Sequence, residues 1–196
     1  MASEVTVQQL IKHIEQFGWK HYKAENEPQE KEGIIYTSWR SSPDSRGFRM
    51  TIDPMEEKKC LSFKVYDIAS APWESTPPDR LADLMTLMSW INYDVILGKF
   101  AYDVRDGEVR LSIDVPIDEN DFNYPQFEHT MHVLLSMAER WASHFQALLE
   151  GQGTLRDVVV GEAGRRSGTE RLVQQLEEAF VRRGDASTGQ QPLTEV

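Results

Sequence analysis

Residues 90–116 read WINYDVILGKFAYDVRDGEVRLSIDVP, and this stretch decides the fold. Its first residues close an amphipathic helix. Leu97 to Val104 and Glu108 to Val115 then read as strands joined through Arg105-Asp106-Gly107. An Asp-Gly step supplies the positive φ that a tight hairpin needs. The second strand sets Val109, Leu111, Ile113 and Val115 against Arg110, Ser112 and Asp114. Such alternation predicts one face in a core and one in water. Pro116 ends the ladder because it brings no N–H. Nothing in the stretch assembles a nucleophile, a metal cage or a phosphate loop.

Upstream, three more strands are predicted. Ile34 to Arg40 is β-branched and aromatic; Gly47 to Asp53 alternates Phe48, Met50 and Ile52 with polar residues; Cys60 to Ile68 does the same with Leu61, Phe63 and Val65. The links SSPDSRG and PMEEKK are short enough for an antiparallel meander, so the three read as one sheet. A helix precedes them, with Val7, Leu10, Ile11, Ile14 and Phe17 at helical spacing, Thr6 and Gln9 as capping-box partners and Gly18 as a stop. The charged stretch from Lys20 to Gly33 reads as a loop.

Between the two groups of strands a helix begins at Pro78 or Asp79, a position that suits proline. Leu81, Leu84, Met85, Leu87, Met88 and Ile91 sweep roughly 160° of its circumference at 100° per residue. That is wider than one sheet requires. Either the helix is deeply buried, or it also meets a second subunit, for which Met85, Met88, Trp90 and Ile91 are the candidate interface residues. A long helix, Pro125 to Leu149, carries Phe127, Met131, Leu134, Leu135, Ala138, Trp141, Phe145, Leu148 and Leu149 as its stripe, with Met137 on its flank. From Gly151 the chain turns Gly-rich and Arg-bearing, with one more amphipathic pattern at Thr169 to Arg183. The expected organisation is an α+β domain over residues 1–150, in the order helix, three strands, helix, two strands, helix. A C-terminal extension follows over residues 151–196.

Composition narrows the function. A chain of 196 residues suits one well-buried domain. Net charge −11 argues against nucleic acid and anionic lipid, because phosphate is held by clustered Lys and Arg. A neutral or basic partner fits better. With Cys60 as its one cysteine the chain forms no internal disulfide; a buried structural thiol in a reducing, cytoplasmic compartment is expected. No secretory leader or membrane-length apolar run is read.

The search for chemistry finds little. His129, His132 and His144 share one helix, but at 100° per residue they diverge across its polar side, too far apart to close a metal site. Asp118-Glu119-Asn120-Asp121 lacks the alternation of a calcium loop and reads as acidic residues before a helix N-terminus. Gly151-Gln-Gly153 follows a helix, the wrong order for phosphate binding. The expectation is no catalytic residue, no cofactor, no metal and no enzyme.

The element order, with NYDVILGKFAYD at Asn92–Asp103, DGEV at Asp106–Val109 and LSIDVP from Leu111 to Pro116, resembles the YbjN-domain family. That family is similar in fold to the class I chaperones of type III secretion, small acidic homodimers that bind effectors in extended form. The resemblance spans roughly residues 5–150 and brings no catalytic residues with it. It implies a cytoplasmic, homodimeric protein-binding module with a chaperone-like or adaptor role toward an unknown protein or peptide. Trp39, Tyr66, Phe100 and Tyr102, read as lying on the strand faces away from the core, are the candidate partner-binding aromatics. Two other readings stay open: a regulator whose Thr169–Arg183 helix occupies its own groove, and a small-molecule-sensing domain.

Overall fold

Strands with alternating apolar residues build one sheet. The computed structural model describes residues 7–20, 22–23, 33–41, 45–55, 59–117 and 122–165. Among them the strands are β1 (Tyr22–Lys23), β2 (Ile35–Arg40), β3 (Gly47–Met55), β4 (Cys60–Ser70), β5 (Lys99–Tyr102) and β6 (Glu108–Pro116). They form one sheet in the order β1-β2-β3-β4-β6-β5, every neighbouring pair antiparallel. The helices are α1 (Val7–Gln16), α2 (Pro78–Asp94), α3 (Tyr124–Glu150) and α4 (Leu155–Arg165). This is the α+β, antiparallel architecture that the sequence predicts. β1 is an addition, two residues of the segment read as loop, and pairs Tyr22 with Tyr36. The Thr6 cap, the Asp118–Asp121 run and the Thr169–Arg183 pattern lie outside the described residues.

Register fixes which face is dry. Trp39 pairs with Phe48, Met50 with Val65, Ile52 with Phe63, Val65 with Leu111 and Phe63 with Ile113. These positions, shared out by the period-2 pleat, form the face on which α3 lies against β4 and β6. Phe63, Phe127, Phe145, Met50 and Ile52 are fully enclosed there. α1 seats Leu10 and Ile14 beside the start of α3, where Phe17 meets Phe127 edge to face at 6.1 Å.

The ends of α3 are strongly specified. Asn123 accepts from the Gln126 N–H while the Gln126 side chain accepts from the Asn123 N–H, a reciprocal capping box. Phe122, just outside the cap, meets Phe127 edge to face at 6.5 Å and acts as a hydrophobic staple. At the other end Gly151 adopts φ 76° and Gln152 N–H donates to Ala147 O, closing the last turn.

The hairpin loop is longer, and its first strand shorter, than the expected Leu97 to Val104 with a three-residue link. Its strands stop at Tyr102 and resume at Glu108, because Asp103 N–H donates to Glu108 O and Gly107 N–H returns to Asp103 O. Ala71 N–H donates to Gly107 O, and the Tyr102 hydroxyl donates to Ala71 O, which ties the hairpin tip to the exit of β4.

Two compact units result, residues 1–152 and 153–196. In the second, α4 occupies part of the stretch read only as Gly-rich; Thr154 and Asp157 exchange side-chain-to-backbone bonds at its N-terminus. No helix among the described residues is long and apolar enough to cross a membrane.

Candidate functional site

Two surfaces carry some of the side chains singled out by sequence. The first is the sheet face turned away from α3, where Tyr36, Ser38, Arg49, Thr51 and Tyr66 line an open cavity of about 510 Å³ together with Thr37 and Met50. Its polar groups largely satisfy one another. Thr51 and Tyr66 share a hydrogen bond at 3.1 Å, and the Arg49 guanidinium pairs with the Asp67 carboxylate. Further along, Asp114 accepts from Ser62 at 2.6 Å and pairs with Lys99 at 3.1 Å. Burial pushes the Asp114 carboxyl up, but these two partners together hold it below its ordinary value.

Of the four aromatics expected on this face, the register leaves only Tyr66. Trp39 lies opposite Phe48 and stacks on it at 4.9 Å; its indole N–H donates to Glu139 of α3. Phe100 lies opposite Leu111 and meets Phe145 edge to face at 5.1 Å. Tyr102 lies opposite Val109, with its hydroxyl engaged by Ala71. These three belong to the helix-covered side, so the four do not form one patch. Sequence reasoning passed over Tyr36 and Thr51, although each alternates with an apolar core residue, Ile35 and Met50 or Ile52.

The second surface is the outer side of α2. Leu81, Leu84, Leu87, Met88 and Ile91 point into the protein, with Met88 5% and Ile91 0% exposed. Their turned-in positions take Met88 and Ile91 away from any interface. Met85 and Trp90 remain half-buried at the outer side. With Thr86, Ser89 and Tyr93 they line a shallow groove of about 490 Å³. Tyr93 is 92% exposed. The residues 85, 86, 89, 90 and 93 follow the three-and-four spacing of one helix face. Trp90 is held from below by Trp141, edge to face at 6.1 Å. Sequence reasoning missed Tyr93; its place one turn beyond Ser89 and Trp90 was the available signal.

The remaining candidates are placed as follows. His129 and His132 are exposed and His144 is half-buried beside Trp141, and no group of three or more metal-binding side chains gathers among the described residues. Cys60 opens β4 half-buried, less enclosed than its apolar neighbours suggest.

No curated protein matches the chain. Similar solved structures include the ExsC-ExsE complex, at 18% identity over 73% of this chain and 96% of that one with a TM-score of 0.47, and the HopA1-SchA chaperone-effector complex, at 11% identity over 70% and 94% with a TM-score of 0.46. The YbjN family, described as "Putative bacterial sensory transduction regulator", matches residues 6–147. That match takes in the whole sheet and α1 to nearly the end of α3: the chain belongs to the YbjN family.

Proposed function

We propose that this chain is a non-enzymatic, cytoplasmic protein-binding module that works as a homodimer, in an adaptor or chaperone-like role toward another protein. The observation that carries the reading is the outer side of α2. Met85, Trp90 and Tyr93 present apolar and aromatic surface along one helix face, with only Thr86 and Ser89 between them. Aromatic residues in such a stripe anchor protein contacts, and a helix face is self-complementary about a two-fold axis. Membership of a family described as regulators supports action by contact. The sheet cavity supports small-molecule sensing less well, since Arg49, Thr51 and Tyr66 already have partners within the protein.

A cysteine at exposed Ser89 tests the interface. Under mild oxidation the Ser89→Cys chain should cross-link to a covalent dimer, whereas cysteine at exposed Ser70, on the far end of β4, should not. Equal cross-linking at both positions would count against α2.

A further inference from the structure

The β5 edge is where the sheet could continue. The Asp103 to Glu108 bond at 2.8 Å sets the alternation of the hairpin, so Ala101 with Arg110 and Lys99 with Ser112 are the hydrogen-bonded pairs. Phe100 and Tyr102 therefore turn their N–H and C=O groups outward, away from β6. At Phe100 those groups are already taken. Its N–H donates to Asn92 Oδ1 at 2.8 Å, and Asn92 Nδ2 donates to Phe100 O at 2.9 Å. This two-way exchange is the one a residue of a neighbouring strand would make. An asparagine carboxamide has the same donor and acceptor as a peptide group, which is why it can stand in for one.

We infer that Asn92 is an edge guard, closing β5 against pairing with β5 of a second copy of this chain. The flanks of the strand explain the need. Ile96 and Val104 are 104% and 64% exposed, and an edge with apolar flanks is a template for strand addition. A second copy fits that edge because an antiparallel pair centred on Phe100 brings Ile96 of each copy toward Val104 of the other, a closed two-fold contact. α2 thus has two duties: its outer face is left open, while its last turn supplies the residue that shuts the sheet.

Amide exchange on the full-length chain tests this separately from the α2 dimer. Asn92→Ala should speed exchange at the Phe100 amide roughly fivefold, the factor carried by one net hydrogen bond, and leave the inward Ala101 amide unchanged. Asn92→Asp keeps the acceptor for the Phe100 N–H but sets a second oxygen against Phe100 O, so its Phe100 amide should exchange at a rate between those of the wild type and Asn92→Ala. Asn92→Ala should also raise the mass above that of the wild-type chain as concentration increases, and adding Val104→Lys should reverse the rise. Unchanged Phe100 exchange in Asn92→Ala, uniform acceleration along β5 in both variants, or growth that persists with Val104→Lys would each overturn the inference.

Discussion

Gly107 stands where two constraints meet. Its φ of 78° disfavours any side chain, and a Cβ there would lie 2.3 Å from Pro72 N and 2.5 Å from the Ala71 carbonyl carbon. Backbone cannot swing aside as a side chain can. Gly107→Ala should cost about 2 kcal/mol or more, read as a lower urea midpoint; an unchanged midpoint would show that the hairpin tip is not held against β4. Asn123→Ala should cost about 1 kcal/mol, since it removes the side-chain acceptor of the Gln126 N–H, with Gln126→Ala, which opens only the bond to the Asn123 N–H, costing less. At this scale the sequence was partly legible. Tyr66 follows Val65 in a strand long enough to show its parity, and its face was read correctly. Phe100 and Tyr102 sit in a strand of four residues, where a one-residue change of pairing swaps the faces. Only the register with Leu111 and Val109 decides them.

Among the elements, α3 organises the core and α1 depends on it. Phe127 is fully buried and meets the rings of His13, Phe17, Phe63 and Phe122. Phe127→Ala should destabilise by about 3–5 kcal/mol and release α1 first, visible as faster exchange at Leu10 and Ile14 than along β4. The β5–β6 hairpin carries a pH signature. Side-chain and backbone hydrogen bonds from Arg105 hold the Asp103 carboxyl far below its ordinary value of 3.8. A depressed carboxylate stabilises the fold fully above that value and loses its contribution as pH falls through the folded pKa. The stability difference between wild type and Asp103→Asn, measured by urea unfolding, should therefore be present at pH 7 and shrink below pH 4. A difference that grows with acid would contradict this. Elements with strong periodicity were legible, including α2, α3 and the strands β3, β4 and β6. α4 was not, because Gly161 and Gly164 dilute its pattern; the Thr154-x-x-Asp157 spacing was the overlooked start signal. The wide apolar arc of α2 resolves into an inward set and the flanking Met85, with Trp90 and Tyr93 extending the outer side.

For the molecule as a whole, family and architecture emerge from one stretch, residues 90–116, because it contains a helix end, a hairpin and a clean alternating strand. Function is less legible, since contact surfaces have no motif comparable to a metal cage or a nucleophile. Net charge −11 adds that two copies repel at long range, so a dimer must rest on close apolar contact and should persist, or tighten, in salt. The decisive measurement is light scattering coupled to size exclusion on the full-length chain and on Met85→Lys/Tyr93→Lys. The account predicts twice the 22.5 kDa chain mass for the wild type, at low and high salt alike, and the single-chain mass for the double variant. A wild-type chain that runs as a monomer, or a double variant that still dimerises, would contradict it.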